Sequence, residues 1–490
     1  MFFSVYTLGC KLNQLETEAI TDSFCREGFT LIPWNTASPR PVEPWLMVIN
    51  TCTVTSMAEQ KARRFIRKLL REYPSMCVII TGCYAQLDQP ALSALDSHDE
   101  HESSGYSRRL FVIPGESKDR LLDLPHSLAG TGMLQDDLPL LIAAWLTSLS
   151  PASGASIKED DAFRLQPENF ASRSRAFLKI QDGCDRRCAY CRVSIARGKS
   201  RSLAPEQALK TLKSLEERMF REAVIAGVNI TQYHHSAGGE PAHVERAFGA
   251  LAPVELTGLL AFLLSNTEII RLRLSSIEPD WLTASRLTDF VRVFANARIR
   301  PHIHLSAQSG SSKTLAKMGR SYAPEDIEKT AATLRSIRED PFLACDIIAG
   351  FPGESEKDFE ETLSLCQRVG FAWIHAFPFS PRPGTAAYDF PERVSERDAT
   401  RRVEQLTHLA QSGRRNYIAR WEGREVEAIV EAGKTPRKHI SAVSENYLKL
   451  LVACDGEPPA PGSLIRCRVS GEPPPAGSRF DARGIPIAEN

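Results

Sequence analysis

Six of the twelve cysteines in this 490-residue chain have the spacing and setting of metal ligands. Cys10, Cys52 and Cys83 each end a short apolar run that is typical of a buried strand, and helical patterns separate the runs. Ligands of an open parallel sheet bind beyond the carboxyl ends of its strands. We therefore expect the three thiols to converge on one edge of a sheet, where three thiolates form a metal site with one open position.

A second cysteine trio is tighter in sequence. Cys184, Cys188 and Cys191 form a C-x3-C-x2-C motif directly after the strand expected at 177–181. Thiolates at this spacing can bind three irons of a 4Fe–4S cluster and leave the fourth iron for an external molecule. Zinc remains the alternative for both trios, because three cysteines can hold Zn²⁺ together with a histidine or water. The nearest histidine downstream of the second trio is His234.

The elements that must position these cysteines follow an α/β pattern. Strand-like and helical stretches alternate up to about residue 125, where Asn13 and Glu16 resemble a helix-capping pair. Six further strand candidates alternate with helical stretches: 177–181, 223–228, 269–275, 302–306, 344–349 and 373–377. Six such units predict an incomplete (β/α) barrel with its site at the carboxyl ends of the strands. Short runs with Gly and Pro turns after a charged helix at 395–420 predict a small antiparallel β-barrel.

These patterns predict three domains and one connecting segment. Their expected bounds are 1–125 for an N-terminal parallel α/β sandwich, 126–170 for an irregular, polar linker or insertion, 171–415 for the incomplete barrel and 418–485 for the C-terminal β-barrel. The longest apolar stretch, 138–149, is too short to span a bilayer. We see no export signal, and cysteines kept as thiols are typical of a reducing compartment, so we expect a cytoplasmic protein that does not associate with membranes.

Charge gives only local information about partners. Sixty basic and sixty acidic residues cancel, so net charge neither supports nor excludes nucleic acid. Residues 171–202 nevertheless contain nine Lys or Arg against two Asp or Glu. We expect this basic surface to contact phosphates. The candidate residues are Arg186, Arg187, Arg197 and Arg201.

The second cysteine trio resembles that of the radical SAM superfamily, in which a C-x3-C-x-aromatic-C motif follows the first strand of a (β/α)6 barrel. Tyr190 occupies the aromatic position. The resemblance implies a 4Fe–4S cluster on Cys184, Cys188 and Cys191 whose open iron binds S-adenosylmethionine. One-electron reduction would then yield a 5′-deoxyadenosyl radical, chemistry that side chains alone cannot supply.

Further motifs look like those of the methylthiotransferases within that superfamily. They are TLGCKLNQ (7–14), NTC (50–52), TGCYAQ (81–86), IQDGC (180–184), ARGKSRS (196–202), RLSSIEP (273–279), HIHLSAQSGS (302–311), DIIAGFPGE (346–354) and FPFSPRPGT (377–385). The C-terminal module is similar to a TRAM domain. The resemblance implies a second 4Fe–4S cluster on Cys10, Cys52 and Cys83 that delivers sulfur, and the use of two molecules of S-adenosylmethionine.

The segment 7–14 resembles the branch that modifies N6-threonylcarbamoyladenosine. This implies methylthiolation at C2 of that nucleoside at position 37 of tRNA, with the anticodon loop as partner. It also implies an electron donor such as flavodoxin or ferredoxin and a sulfur donor that the sequence does not identify. Three alternatives stay open: methylthiolation of N6-isopentenyladenosine, methylthiolation of ribosomal protein S12, and a zinc-stabilised RNA-binding protein without redox chemistry.

For several residues, only the position in the predicted strands indicates a role. Gly227, Ser275, Gln308 and Gly350 lie at predicted strand ends, where we expect contacts to S-adenosylmethionine, and no side chain is predicted to be catalytic. His302 and His304 point to the same side of one strand, where they could face the substrate or fill the barrel lumen; packing in the lumen is the favoured prediction. The remaining thiols are predicted to be buried in the core: Cys25, Cys77, Cys345, Cys366, Cys454 and Cys467.

Overall fold

The structure, a computed structural model, describes residues 1–34, 42–96, 108–132, 134–148, 162–170, 173–236, 254–282, 284–475 and 477–487. The chain divides into two compact units. The first comprises Met1–Ala171, Asp182–Arg186 and Cys191–Arg201, and the second comprises Ser172–Gln181, Arg187–Tyr190 and Ser202–Asn490. The domain bounds expected from the sequence stay predictions.

The first unit is built on a five-stranded sheet whose pairs are all parallel. Its strands are β1 (Phe2–Thr7), β2 (Thr30–Leu31), β3 (Leu46–Thr51), β4 (Cys77–Gly82) and β5 (Leu110–Val112), in the order β2-β1-β3-β4-β5. Its helices are α1 (Lys11–Arg26), α2 (Ser56–Glu72), α3 (Cys83–Leu87), α4 (Gln89–Ser93), α5 (Leu124–Leu128), α6 (Leu138–Ser148) and α7 (Val193–Arg197). β3 and β4 are wholly buried, as expected for apolar runs of a parallel sheet covered on both faces.

Helix α6 corrects the expectation of an irregular segment at 126–170. Leu138, Ile142 and Trp145 repeat at helical spacing and are buried in the apolar core of the first unit. The apolar stretch noted in the sequence is therefore a core helix. No helix within the described part of the chain is both long enough and apolar enough to cross a membrane.

The second unit contains the six parallel strands predicted for an incomplete barrel. They are β6 (Ala176–Lys179), β7 (Glu222–Ala226), β8 (Arg271–Leu274), β9 (His302–Gln308), β10 (Phe342–Ala349) and β11 (Trp373–Pro378). They form two three-stranded parallel sheets, β8-β7-β6 and β9-β10-β11. Isolated bridges join the two sheets at Leu272–Ile299 and Ile277–Leu305. The predicted fold class is confirmed in this part of the chain.

Helices alternate with these strands. They are α8 (Pro205–Glu217), α9 (Leu256–Ser265), α10 (Ala284–Phe294), α11 (Ser312–Lys317), α12 (Pro324–Ile337), α13 (Glu356–Val369) and the long α14 (Glu396–Trp421). Helix α13 begins at a capping box: the Ser355 hydroxyl accepts from the backbone N–H of Asp358, and the Asp358 carboxylate accepts from the N–H of Ser355. It ends at Gly370, which is left-handed with φ +61°.

The C-terminal module is a closed barrel of five strands. These are β12 (Glu425–Glu431), β13 (His439–Ser444), β14 (Lys449–Ala453), β15 (Leu464–Ser470) and β16 (Ala482–Pro486), arranged β12-β13-β14-β16-β15. The pairing is antiparallel except between β14 and β16, which run parallel. The predicted small barrel is confirmed, with this one parallel pair as a difference.

A buried ionic network joins the C-terminal barrel to strands β7 and β8 within the second unit. Arg273 donates to Glu222 at 2.7 and 3.0 Å and to the carbonyl oxygens of Ser444 and Glu445 at 3.1 and 3.0 Å. Arg300 pairs with Glu222 at 3.0 Å. Burial by itself would raise the pKa of Glu222, but the guanidinium charges of Arg273, Arg175 and Arg300 outweigh it and lower the pKa to about 2.

Replacing Glu222 with Gln should lower the free energy of unfolding of the second unit by about 3–5 kcal/mol, because buried guanidinium groups lose their counter-charge. Urea denaturation measures the loss. The lowered pKa also means that this stabilisation is present at neutral pH and is lost as the pH falls from the ordinary value of 4.5 towards about 2.

The matched control is Glu425→Gln, which breaks an exposed pair with Arg466 at 2.7 Å. It should cost less than about 1 kcal/mol. Equal losses in the two variants would contradict a structural role for the buried network.

Candidate functional site

The structure places Cys52 and Cys83 directly after strands β3 and β4 and Cys10 three residues after β1, and it brings the three together. A side-chain carbon built on Gly9 would lie 2.6 Å from Cβ of Cys52, so the loop of Cys10 packs against Cys52. Burial raises the pKa of the Cys52 thiol to about 12, and the neighbouring thiols of Cys10 and Cys83 add to the rise. Thiols this costly to ionise become thiolates when a metal supplies the positive charge.

Two asparagines fix the loops that carry these cysteines. The side-chain amide of Asn13 donates to the carbonyl oxygens of Leu8 and Thr51 at 2.9 and 3.0 Å, and Asn50 donates to the carbonyl oxygen of Asn13 at 3.0 Å. The sequence-based expectation that Asn13 caps a helix is wrong. Helix α1 begins at Lys11, so Asn13 lies inside the helix. Its buried side chain is satisfied by backbone groups at two strand ends.

Arg197 is the central cation of the first unit. Its guanidinium donates to Glu16 at 2.9 Å, to Asp182 at 3.1 Å and to the side-chain oxygen of Asn13 at 2.9 Å. The Lys118 ammonium forms a second ion pair with Glu16, with 2.5 Å between Nζ and Oε2. The predicted RNA-contacting role is wrong for Arg197, since its side chain is 5% exposed. Sequence reasoning missed this role because a local basic run does not show which members find buried carboxylates.

The second cysteine trio lies on a loop after β6, and Cys184, Cys188 and Cys191 are all half-buried. The backbone N–H of Cys184 donates to the carbonyl oxygen of Gly198 at 3.0 Å. The sulfur of Cys191 accepts the N–H of Val193 at 3.4 Å. These contacts hold the ends of the motif in a tight loop and leave the thiols partly accessible.

A cavity of about 350 Å³ opens beside Cys83 within the first unit. Its walls include the basic side chains of Lys118 and Arg201 and the carboxylates of Asp119 and Asp182, so charges of both signs line it. A small molecule can therefore approach the Cys83 side of the first trio without unfolding of the sheet.

The donor chemistry of the two trios fits iron–sulfur clusters. Within the described ranges, no group of three or more His, Cys, Asp or Glu side chains is drawn close enough to hold one metal ion. Each thiolate of a 4Fe–4S cluster binds a different iron, so cluster ligands stand farther apart than the four ligands of a zinc ion. Each trio offers thiol sulfurs only, which is the donor set of an iron–sulfur cluster.

The second unit carries a polar network at the strand ends that the sequence reasoning only partly found. Arg320 donates to both oxygens of Glu278 at 2.8 and 2.9 Å and to the hydroxyl of Tyr190 at 2.6 Å. Asn229 donates to Glu278 at 3.3 Å. The sequence-based prediction assigned no role to Asn229. No sequence signal distinguished Arg320 from the other 59 basic residues. Its hydrogen bond holds the side chain of Tyr190, which lies two residues after Cys188 in the sequence.

The four residues predicted to contact S-adenosylmethionine all lie at carboxyl ends of barrel strands: Gly227 after β7, Ser275 after β8, Gln308 at the end of β9 and Gly350 after β10. The Ser275 hydroxyl is buried and has no hydrogen-bond partner among the described residues. A buried donor without a partner fits a ligand that would supply one.

The other three positions have their own structural reasons. Gln308 is strained at φ +62°, which is uncommon for a residue with a side chain. Side-chain carbons on Gly227 and Gly350 would lie 2.9 Å from Gln181 and 2.7 Å from Ala399, so close packing already requires glycine. Their contacts to a cofactor stay predictions.

Several lesser predictions are decided by burial. His302 packs between Phe342 and Tyr447 at ring distances of 5.5 and 4.1 Å, as expected for a packing residue. The thiols of Cys77, Cys345, Cys366 and Cys467 are buried as predicted. The prediction is wrong for Cys25, which is exposed at the end of α1, and for Cys454, which is half-buried.

Comparisons with known proteins agree with this fold. The Radical SAM superfamily profile matches residues 178–366, and the profile of the uncharacterized protein family UPF0004 matches residues 3–101. A solved radical S-adenosylmethionine methyltransferase, TsrM from Kitasatospora setae, aligns over 79% of this chain and 76% of its own, with 13% identity and a TM-score of 0.47. That likeness is too low to indicate a shared activity.

Sequence relatives are much closer. Threonylcarbamoyladenosine tRNA methylthiotransferase MtaB of Treponema pallidum is 37% identical over 96% of this chain and 98% of the relative. The protein of the same name from Thermotoga maritima is 30% identical over 91% and 90%. A tRNA-2-methylthio-N(6)-dimethylallyladenosine synthase of Anaplasma marginale is 26% identical over 93% and 90%.

Fold and cysteine motif together define a radical SAM enzyme. Within that class, the chain belongs to the threonylcarbamoyladenosine tRNA methylthiotransferase family, the MtaB type. Family membership confirms the predicted cofactors, S-adenosylmethionine and two 4Fe–4S clusters. The residues that bind them remain the prediction made from the sequence.

Gly183→Ala tests the loop of the second trio. Gly183 has φ +71°, and a side-chain carbon there would overlap the carbonyl oxygen of Lys199. We expect a loss of iron per chain and a stability loss at least about 2 kcal/mol larger than in Gly28→Ala.

Gly28 is the matched control because it has φ +81° with nothing within 4 Å, so its substitution costs only backbone strain, about 1–2 kcal/mol. Metal analysis and urea denaturation measure both variants. Full iron content in Gly183→Ala would show that the loop does not depend on this close approach.

Proposed function

We propose that this enzyme methylthiolates C2 of N6-threonylcarbamoyladenosine at position 37 of tRNA. Full-length similarity to relatives named for this activity supports the substrate. The observation that carries the reaction type is the presence of two separate cysteine trios, one at the strand ends of a parallel sheet and one after the first barrel strand. The dimethylallyladenosine alternative has weaker support, at 26% identity.

Cys184, Cys188 and Cys191 would hold one 4Fe–4S cluster, and Cys10, Cys52 and Cys83 the other. When bound, these groups and S-adenosylmethionine supply a carbon-centred radical and a methylated sulfur. The chain itself orients and shields them. Arg197 balances negative charge beside the first trio, and the buried Ser275 hydroxyl offers a hydrogen bond at the barrel mouth.

The substrate base must leave its loop to reach a barrel, since enzymes that act on a base take it out of the stack. The exposed Arg187 and the half-buried Arg186 and Arg201 remain candidates for phosphate contacts near the barrel. An electron donor such as flavodoxin or ferredoxin would reduce the system, and we place the enzyme in the cytoplasm, where tRNA is found.

The substrate is tested by mass spectrometry of tRNA nucleosides. A strain that lacks this gene should lose the 2-methylthio derivative of N6-threonylcarbamoyladenosine and keep the unthiolated nucleoside. A plasmid copy should restore it. Loss of the isopentenyladenosine derivative instead would move the assignment to the alternative substrate.

Two cysteine variants test the separate roles of the trios. Cys188→Ala should abolish formation of 5′-deoxyadenosine, whereas Cys52→Ala should keep some cleavage of S-adenosylmethionine but form no methylthio product, because only the first trio would handle sulfur. Chromatography of both products measures the split. Equal loss of cleavage in the two folded variants would contradict separate roles.

A further inference from the structure

One inner face of the barrel holds polar groups that the proposed chemistry does not use. Along β9, β10 and β11 side chains alternate between a buried outer face and a partly open inner face. His304, Asp346 and His375 lie on the inner face, and their exposure rises from 13% for His304 to 29% for Asp346, with His375 exposed. The lumen therefore keeps ionisable groups in contact with solvent.

These groups contact one another in a chain. The Ser276 hydroxyl lies 2.8 Å from Nδ1 of His304, and Nε2 of His304 lies 3.4 Å from a carboxylate oxygen of Asp346. Asp346 pairs in register with His375 on the next strand, and the rings of His304 and His375 are 5.4 Å apart. Two imidazoles and one carboxylate thus form a small polar cluster.

A row of aromatic side chains on β11 continues from this cluster. Trp373, His375 and Phe377 occupy alternate positions, and the His375 and Phe377 rings are nearly parallel, with 12° between their planes and 6.4 Å between centroids. Phe377 is nearest the carboxyl end of the strand and is 42% exposed. A flat base entering from the barrel mouth would meet Phe377 first and the polar groups deeper inside.

The substrate of the proposed reaction has matching chemistry. Its adenine is a flat ring, and its N6 substituent carries a carboxylate and a hydroxyl group. Nδ1 of His375 accepts the indole N–H of Trp373 at 3.3 Å, so the Nε2–H of this ring can donate to the substrate carboxylate. His304 positions the Asp346 carboxylate, which can accept from the substrate hydroxyl. A dimethylallyl substituent offers neither group, so it would gain none of these hydrogen bonds.

We propose that His375, together with His304 and Asp346, recognises the threonylcarbamoyl substituent while Phe377 stacks on the adenine. This inference rests on the proposed function. It assigns substrate selection to the inner face of β9, β10 and β11, apart from both cysteine trios.

The test uses the cluster-loaded enzyme and three anticodon stem-loop RNAs that differ only at position 37: N6-threonylcarbamoyladenosine, N6-isopentenyladenosine and adenosine. Fluorescence anisotropy gives Kd, and product analysis gives kcat and KM. His375→Ala should weaken binding of the threonylcarbamoyl RNA by about 10- to 100-fold and leave binding of the adenosine RNA unchanged.

Two further variants separate recognition from folding. His375→Gln keeps an N–H donor and should retain part of the selectivity, whereas His375→Phe keeps the ring and should lose it. His408→Ala, at an exposed position on α14, is the matched control and should change nothing. Formation of 5′-deoxyadenosine without RNA should stay at the wild-type rate in His408→Ala.

Three outcomes overturn the inference. One is equal weakening towards all three RNAs, and another is a raised KM for S-adenosylmethionine, which would place His375 at the cofactor. The third is unchanged selectivity in His375→Ala while the wild-type enzyme methylthiolates the threonylcarbamoyl RNA. A wild-type enzyme without that product would overturn the proposed function as well, so the two failures are distinguishable.

Discussion

Burial of thiols beside ionic groups is the constraint on which the first unit depends. A buried thiolate or carboxylate needs a positive partner. Arg197 supplies one to Glu16 and Asp182, and it lies close enough to lower the pKa of Cys52 against the rise that burial causes. The same charge therefore holds the loops of the first trio and favours the thiolate form that binds metal. A change at Arg197 would disturb the loops and the ionisation of the thiols.

The second unit divides its polar groups between two ends of the six-stranded array. Glu222, at the start of β7, pairs with Arg273 and Arg300, and Arg273 also binds backbone oxygens of the C-terminal barrel. Further along the strands, His304 and Asp346 are partly exposed in the lumen. This arrangement suits the proposed function, in which a base enters from the carboxyl ends of the strands.

The sequence could predict elements whose signal is local. The bounds of β10, β11 and α14 agree with the expected bounds to within two residues, since strand runs and capping residues lie in the chain itself. Helix α6 was missed because its spacing lies within a stretch that otherwise reads as polar. Asn13, Arg197 and Cys25 were misjudged because burial depends on partners distant in sequence.

The sequence alone determined which atoms are available for chemistry: six thiols in two motifs, and strand runs that must end beside them. This follows because motif spacing and strand periodicity are properties of neighbouring residues. The tertiary structure alone decided which charges surround those thiols and which imidazoles meet a carboxylate in the lumen. Such pairings join residues on separate strands, and only the register and closure of the sheets bring them within hydrogen-bond distance.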